Sequence, residues 1–281
     1  MEEFHYRIDW RTRTAHPGSH GSLQAGGGSE FCGHQPFLSH PHARDLDVRA
    51  TLADPLGRLM VKSFRQHSAI PVYVVADLSA SMGFCGTASK QELLARFAAA
   101  TAYSAYRSGD PFGFFGCEAE IRWDLSLPLR WHKGLAQRIA SVLRGFRPVA
   151  ASARGLAQAA PHLGRRRSLV FLVSDFHFSL AELERILDAY CQHDLVPVVL
   201  WDSAEYERLP PFGLIELRDP ETGGRRRLLL RPRLRERIRQ HFAERRRRLD
   251  ELCRPFGRKP FFLVDRFDAD ALTGYFYQAE P

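Results

Sequence analysis

The amino-acid sequence predicts an α/β fold in which a mostly parallel central sheet carries helices on both faces. Two short runs, residues 72–76 and 169–173, are continuously apolar, which is typical of strands buried on both faces. Segments with helical spacing of apolar residues separate such runs between residues 70 and 200. Strands that alternate with helices in this way pair in parallel through right-handed crossovers.

The elements can be placed in order along the chain from these patterns. Residues 61–64 are predicted as an edge strand that leads into the core, and residues 72–76 as the first core strand. A helix is predicted over residues 91–108, because Leu93, Phe97 and Thr101 share one face and Gly109-Asp110-Pro111 ends it. Further strands are predicted at 112–117, 120–125, 168–174, 195–200 and 261–264, further helices at 133–146, 152–163, 180–191, 232–252 and 268–277, and a turn between two strands at 217–224.

The N-terminal part of the chain differs in composition from the rest. Glycine and serine recur over residues 18–29, which predicts flexible backbone. Six histidines fall at positions 5, 16, 20, 34, 40 and 42, and a structural metal site built from them is the less favoured interpretation. We expect residues 1–68 to be a partly flexible extension that packs on the core, and residues 69–281 to form the main domain.

Composition places the chain among soluble globular proteins. Of the 281 residues, 44% are hydrophobic and 26% are charged, and no apolar run approaches the roughly 18 residues that span a bilayer. The chain begins Met1-Glu2-Glu3 and lacks the layout of a secretory signal, so we expect a cytoplasmic protein. The five cysteines are widely spaced without a C-x-x-C pair, which favours incidental thiols over a zinc or redox site.

Arginine dominates the basic residues and gives the chain a net charge of +8. The densest cluster extends from Arg225 to Arg248 and contains apolar residues with helical spacing from Leu234 onward. This spacing predicts an amphipathic helix whose arginines face solvent. A nucleic-acid-binding surface is the less favoured alternative, because no recognition motif accompanies the arginines.

Polar residues follow two of the predicted parallel strands at the point where each strand ends. Asp77, Ser79 and Ser81 come after residues 72–76, and Asp175 comes after residues 169–174. Because parallel strands end at the same edge of a sheet, both carboxylates are expected at that edge, where α/β proteins usually bind ligands. Carboxylate and hydroxyl oxygens suit a hard divalent cation.

The Asp77-x-Ser79-x-Ser81 motif resembles the metal-ion-dependent adhesion site (MIDAS) of von Willebrand factor A domains. That resemblance implies a Rossmann-like fold and a Mg²⁺ or Mn²⁺ ion held by the Asp-Ser-Ser trio, a Thr from a second loop and an Asp from a third. Asp175 matches the third-loop Asp. The second-loop Thr is absent, and Ser152 is the hydroxyl residue available in its place, within Ala150-Ala151-Ser152.

The wider pattern resembles one branch of the von Willebrand A superfamily, the bacterial domain-of-unknown-function family 58 (DUF58). The resemblance implies that residues 69–281 carry a von Willebrand A-like domain with a C-terminal elaboration specific to this family. The motifs that carry the resemblance are His16-Pro17-Gly18-Ser19-His20 with Gly28-x-Glu30-Phe31, Asp77–Met82 with Lys90, Ser108–Gly113, Ser168–Phe176, Glu207-x-Leu209-Pro210 and Asp219-x-Glu221-Thr222-Gly223.

The same resemblance implies a non-catalytic, metal-dependent protein–protein interaction module. Members of the family commonly accompany MoxR-type AAA+ ATPases, so the expected partners are such an ATPase and a client enzyme complex that it helps to assemble or activate. Three alternatives stay open. They are a degenerate scaffold without metal, a Mg²⁺-dependent hydrolase in which the two carboxylates and Ser79 act, and an arginine-rich nucleic-acid binder.

Overall fold

The computed structural model describes residues 2–10, 17–26, 30–39, 41, 43–148, 150, 152–218 and 224–278. Its strands are β1 (Pro17–Gly26), β2 (Glu30–Pro36), β3 (Met60–Ser68), β4 (Val72–Asp77), β5 (Phe112–Cys117), β6 (Ile121–Arg130), β7 (Leu169–Ser174), β8 (Asp194–Trp201), β9 (Gly213–Arg218), β10 (Arg225–Leu230) and β11 (Phe261–Val264). Its α-helices are α1 (Val48–Ala53), α2 (Lys90–Arg107), α3 (Leu135–Gly145), α4 (Gly155–Ala159), α5 (Leu180–Ala189), α6 (Pro232–Cys253) and α7 (Ala269–Tyr277).

The chain divides into two compact units. The first comprises Met1–Tyr6, Pro71–Arg107 and Pro111–Pro281, and the second comprises Arg7–Ile70 with Ser108–Asp110. The two segments predicted from composition, 1–68 and 69–281, remain a prediction about how the chain is organised. Each unit has its own sheet, and the predicted metal loop lies in the first.

The first unit contains a six-stranded sheet in the order β11-β8-β7-β4-β5-β6. The pairs β11–β8, β8–β7, β7–β4 and β4–β5 are parallel, and only the edge strand β6 is antiparallel to its neighbour. The predicted fold class, a Rossmann-like von Willebrand A-type domain with a mostly parallel central sheet, is confirmed. A separate antiparallel ribbon is formed by β9 and β10.

Apolar side chains of the central strands fill a core on each face of the sheet. On one face, Tyr73 and Val75 of β4 pack in a cluster with residues of α4, α5 and α6. On the other face, Phe171 of β7 meets Phe97 of α2 and Phe276 of α7 edge to face. This double burial explains why β4, β5, β7 and β8 are apolar along their length instead of alternating.

The first residues of the chain complete the second of these cores. Phe4 is 1% exposed and stacks on Phe97, and its ring also meets Phe171 edge to face. The Phe4 amide donates to Ser104 Oγ of α2 at 2.9 Å. Residues 2–6 are therefore part of the first unit, which contains the six-stranded sheet.

The second unit is built on a three-stranded antiparallel sheet in the order β1-β3-β2. The short helix α1 precedes β3, and the side chain of Asp47 caps it by accepting hydrogen bonds from the amides of Arg49 and Ala50. Asp110 is fully buried and accepts from His20 Nε2 at 2.7 Å and from the Ile70 amide at 2.8 Å. Two of the motifs noted in the sequence thus meet through His20 and Asp110.

Two predicted elements differ from the structure. The strand predicted at 61–64 is longer, and it is the central strand β3 instead of an edge strand, because both β1 and β2 pair with it. The helix predicted at 152–163 is α-helical only from Gly155 to Ala159 and continues as a 3₁₀ turn through Leu163. Pro161 lies in that turn and cannot donate the amide hydrogen bond of a continuing α-helix.

The strand predicted at 120–125 extends to Arg130 as β6, and residues 18–26, predicted as flexible backbone, form most of β1. Most other predicted elements agree with the structure within two residues. The turn predicted at 217–224 falls mostly on residues 219–223, which lie outside the described residues, as does the motif Asp219–Gly223. In the described part of the chain, no helix is long and apolar enough to cross a bilayer.

We expect Phe171→Ala to destabilise the protein by about 3–5 kcal/mol, because the substitution opens a cavity where three aromatic rings meet a central strand. Chemical denaturation measures the change in unfolding free energy. The matched control is Phe212→Ala, at a side chain that is 65% exposed, and it should change stability by less than about 0.5 kcal/mol. Equal effects of the two substitutions would contradict this assignment of the core.

Candidate functional site

Four neighbouring parallel strands each end in an aspartate at the same edge of the sheet. Asp77 is the last residue of β4, and Asp175, Asp202 and Asp265 directly follow β7, β8 and β11. Asp77, Asp175 and Asp202 are each at most 2% exposed. The structure therefore brings the two carboxylates predicted from sequence to one edge, within a longer row of acidic groups.

Asp77 is held by two neutral donors. Its Oδ1 accepts from the Ser79 amide at 2.8 Å, and its Oδ2 accepts from Ser174 Oγ at 2.7 Å. Burial, together with the nearby charge of Asp175, raises the pKa of Asp77 to about 6. The carboxylate is thus fixed in position while its negative charge lacks a full counter-charge.

The two serine hydroxyls of the predicted metal loop lie beside this carboxylate. Ser79 Oγ and Ser81 Oγ are 3.2 Å apart, and the Ser81 hydroxyl is close enough to the Asp175 carboxylate to help lower its pKa. The loop keeps this form because residues 80–83 make a 3₁₀ turn directly after Ser79. Asp77, Ser79, Ser81 and Asp175 therefore form one contiguous group of oxygen atoms.

The second loop reaches the metal loop through Ala150. Ala150 pairs with Ser79 as a parallel β-bridge, and its carbonyl accepts from the Ala80 amide at 2.7 Å. Ser152 Oγ accepts from the Arg154 amide at 3.3 Å and so supports its own loop. The residue that meets Ser79 has no hydroxyl, and Ser152 as a fifth ligand remains a prediction.

Asp175 forms a buried ion pair with Lys90, the first residue of α2. Lys90 Nζ lies 3.2 Å from Asp175 Oδ2 and 2.9 Å from Glu205 Oε1, and Lys90 is 1% exposed. Burial opposes ionisation of both partners, but the attraction prevails and holds the pKa of Asp175 below, and that of Lys90 above, its usual value. Both groups are therefore charged at neutral pH.

The donor set fits a hard divalent cation. Two carboxylates and two hydroxyls are oxygen ligands of the type that Mg²⁺ and Mn²⁺ prefer. The raised pKa of Asp77 marks a buried negative charge that a cation would stabilise. Asp77, Ser79, Ser81 and Asp175 are the residues that would hold the ion, and their assignment as ligands remains a prediction.

Helix α6 holds the loop that follows Asp175. Phe176 has a left-handed backbone with φ of 54°, which is strained for a side chain of this size. Arg245 donates to the carbonyl oxygens of both Phe176 and Phe178, with its Nε 3.0 Å from the first. Trp201 Nε1 donates to the Asp175 carbonyl at 2.9 Å. These contacts fix the backbone that presents the Asp175 carboxylate.

His177 lies at the exposed rim of the site. Its ring is parallel to that of Trp201 at 6.1 Å and meets Phe242 of α6 edge to face at 5.4 Å. Surrounding groups desolvate the imidazolium form and so lower the pKa of His177. His177 is thus an exposed residue whose ring packs against two aromatic side chains.

Sequence reasoning missed several residues that shape the site. Glu205 belongs to a capping box with Asp202, and the Asp-x-x-Glu spacing after an apolar strand is a signal that could have located this turn. Ser174 directly precedes Asp175, so only the burial of β7 reveals that its hydroxyl faces Asp77. Lys90 was visible as part of a motif, whereas its pairing with two carboxylates was not.

Two histidines of the N-terminal part pair with aspartates. His20 Nε2 pairs with Asp110 at 2.7 Å, and His34 Nε2 pairs with Asp47 at 3.1 Å. His16, His40 and His42 lie outside the described residues. Across the described positions, no group of three or more His, Cys, Asp and Glu side chains could hold a metal ion.

Fold and site together define an α/β domain with a mostly parallel sheet and an Asp-Ser-Ser loop at its carboxyl edge, which is the arrangement that the resemblance to von Willebrand A domains predicted. The family profile described as "Protein of unknown function DUF58" matches residues 43–250. The chain belongs to the DUF58 family, as the motifs predicted.

One relative and two solved structures illustrate what the chain resembles. A Paracoccus denitrificans protein named "Uncharacterized protein in moxR 3'region" is 39% identical over 98 residues, which are 35% of this chain and 93% of that protein. The conserved hypothetical protein BatB from Bacteroides thetaiotaomicron is 12% identical with a TM-score of 0.44, over 74% of this chain and 97% of that chain. An aerotolerance-related membrane protein from Bacteroides fragilis is 13% identical with a TM-score of 0.42, over 75% and 98%.

We expect Asp77→Asn to change how stability depends on pH in protein kept in EDTA. The folded state holds a proton on Asp77 up to about pH 6, whereas an unfolded aspartate loses it near 3.8. Ionising Asp77 therefore costs the folded state stability, and the loss grows as the pH rises from about 4 to about 6. Relative to Asp77→Asn, wild type should lose on the order of a few kcal/mol across this interval.

Denaturant titrations between pH 4 and pH 8 measure this difference. The matched control is Asp188→Asn, at an exposed aspartate of α5, whose pH profile should follow that of wild type. Parallel profiles for wild type and Asp77→Asn would show that Asp77 ionises normally in the folded protein.

We expect Arg245→Met to loosen the loop after Asp175, because two backbone carbonyls lose their shared donor. The unfolding free energy should fall by about 1–3 kcal/mol, and amide hydrogen exchange should accelerate at residues 176–180. Arg247→Met, at an exposed arginine of the same helix that pairs with Glu244, is the control and should leave exchange there unchanged. Unchanged exchange in Arg245→Met would remove Arg245 from this role.

Proposed function

We propose that this chain is a non-catalytic interaction module that binds Mg²⁺ or Mn²⁺ through Asp77, Ser79, Ser81 and Asp175. The ion supplies an open coordination position that accepts a carboxylate of a partner protein. The proposed partners are a MoxR-type AAA+ ATPase and a client enzyme complex that the pair assembles or activates.

One observation carries this proposal. Two buried carboxylates and two hydroxyls converge at the carboxyl edge of a parallel sheet, with Ser79 Oγ 3.2 Å from Ser81 Oγ and the Ser81 hydroxyl near enough to Asp175 to help lower its pKa. The charges of the two buried carboxylates repel each other, and this repulsion contributes to the raised pKa of Asp77. A divalent cation relieves that repulsion with ligands already in position.

The chain's own residues would act by holding and orienting the ion. Asp77 is fixed by Ser79 and Ser174, so its carboxylate is preorganised for a cation. Asp175 would orient a bound water, and its backbone is fixed by Trp201 and by the neighbouring contacts of Arg245. Partner recognition of this kind needs neither a nucleophile nor a base, which is why we propose no catalytic residue.

The family supports the accessory role. The chain belongs to DUF58, and a relative of this chain is named for its place in the moxR 3' region. A MoxR-type ATPase is therefore the first partner to test.

A scaffold without metal is the second candidate function, and the second loop favours it. Ala150 occupies the position that pairs with Ser79, so that loop meets the site without a hydroxyl. Such a scaffold would bind the same partners through protein contacts alone, and the experiment below separates the two functions.

The structure gives several arginines of α6 local roles. Arg245 binds loop carbonyls, Arg246 lies 4.2 Å over the ring of Phe262, and Arg247 and Arg248 pair with Glu244. These contacts support the solvated-helix interpretation over a nucleic-acid site.

We expect binding to the purified MoxR-type ATPase of the same organism to require a divalent cation. Biosensor titrations of wild type in Mg²⁺ should give saturable binding that EDTA abolishes, and Asp77→Ala should lose at least about tenfold in affinity, since a ligand carboxylate is removed. Asp188→Ala, at an exposed aspartate, should bind like wild type.

The other outcomes assign the alternatives. Binding that ignores both EDTA and Asp77→Ala would identify the scaffold without metal. Release of phosphate from a model ester that depends on Asp77 would identify a hydrolase. Binding to DNA or RNA that falls steeply with salt and ignores Asp77→Ala would identify the arginine-rich surface as a nucleic-acid site.

A further inference from the structure

Lys90 places a positive charge inside the candidate cation site. Its ammonium lies between the Asp175 and Glu205 carboxylates, at 3.2 Å and 2.9 Å, and the ring centroid of Phe84 lies 5.5 Å from Nζ. The remaining charged or titratable groups of the cluster are Asp77, His177 and Arg245. A divalent cation that uses Asp175 must share this carboxylate with the ammonium.

We propose that Lys90 is a tethered cation that lowers the affinity of the site for divalent metal. Glu205 limits this effect, because its carboxylate also pairs with the ammonium and so weakens the interaction of the ammonium with Asp175. This inference rests on the proposed metal site. Lys90 and Glu205, which do not themselves bind the ion, would then set the affinity of the site for it.

Burial of the Lys90 side chain is unfavourable unless nearby groups stabilise its positive charge. The side chain is 1% exposed, and burying an ammonium is unfavourable. Lys90 is also the first residue of α2, where the helix dipole disfavours a positive charge. An apolar residue of similar length would avoid both penalties. The charge is therefore best explained by the carboxylates that it faces.

Competition with the metal follows from the shared carboxylate. The ammonium pairs with Oδ2 of Asp175, which is itself a predicted ligand of the ion. A divalent ion bound to Asp175 would be repelled by the Lys90 ammonium. It would also be attracted less strongly by Asp175, because the ammonium neutralises part of the negative charge of that carboxylate. Removing the ammonium should strengthen metal binding, which is the opposite of what the loss of a structural lysine does.

Glu205 should have the opposite effect on affinity. Its Oε1 is the nearer partner of Lys90, while its Oε2 accepts from the Asp202 amide at 3.0 Å. The substitution Glu205→Gln keeps the volume of the side chain and an acceptor for the Asp202 amide but removes the charge. Lys90 would then pair with Asp175 alone and compete more strongly with the metal.

The test is calorimetric titration of the full chain with MnCl₂ after removal of metal by EDTA and dialysis. Lys90→Met should bind Mn²⁺ about tenfold more tightly than wild type, and Glu205→Gln should bind it several-fold more weakly. The controls are Lys133→Met and Glu207→Gln at exposed positions, which should leave Mn²⁺ affinity unchanged. A merely structural role for the pair would weaken binding in both site variants.

A stability measurement accompanies each titration. In EDTA, the Lys90→Met variant leaves the Asp175 carboxylate buried without a positively charged partner, so the melting temperature of the variant should be below that of wild type. Addition of Mn²⁺ should raise the melting temperature of the variant by more than that of wild type. If Lys90→Met does not fold, Lys90→Gln takes its place, because it removes the charge but keeps a side chain that can hydrogen-bond the carboxylates, and it should also bind Mn²⁺ more tightly than wild type. Unchanged or weaker Mn²⁺ binding in the folded Lys90 variant overturns the inference.

The two proposals fail in different ways. One outcome is that wild type binds Mn²⁺, Asp77→Ala does not, and Lys90→Met binds Mn²⁺ no more tightly than wild type. That outcome supports the metal site and overturns the role of Lys90. Absence of Mn²⁺ binding in both wild type and Lys90→Met overturns both. Binding that becomes measurable only in Lys90→Met supports the tethered cation directly.

Discussion

Parallel pairing of the central strands is the constraint on which the rest of the site depends. β4, β7, β8 and β11 run in one direction, so the residues that follow them emerge at one edge of the sheet. Apolar side chains fill both faces of these strands, which leaves that edge as the place where their polar ends collect. The aspartates that end the four strands therefore lie in a row, and the loops are organised around them.

The carboxylates along this row are compensated by different donors. Asp202 accepts from the amides of Thr87 and Ala88, and Asp175 pairs with the ammonium of Lys90. Asp77 has only neutral donors, and its pKa is the one that burial raises to about 6. The negative charge without a charged partner is thus concentrated at Asp77, beside Ser79 and Ser81, although the acidic row as a whole is longer.

The sequence predicts which edge of the sheet carries the candidate site, but it predicts only some of the residues that lie at that edge. Asp77 and Asp175 could be placed together because alternating strands and helices determine strand direction. Lys90 and Glu205 could not, since their meeting depends on β8 lying next to β7 and on the loops between them. Periodicity identifies the arginines of α6 as a polar face but does not reveal that Arg245 turns toward a strained loop. The register that pairs Ala150 with Ser79 likewise arises only from three-dimensional contact.

The outer strands of the six-stranded sheet are poor templates for another chain. β11 is four residues long, which limits the backbone hydrogen bonds it can offer. β6 is longer but contains Pro128, which has no amide hydrogen, and charged residues at Arg122, Asp124 and Arg130. Short, charged and proline-containing edges resist pairing with strands from neighbouring molecules. These edges therefore disfavour growth of the sheet by strand addition, and any protein that binds this unit would have to contact side chains and loops instead of extending the sheet.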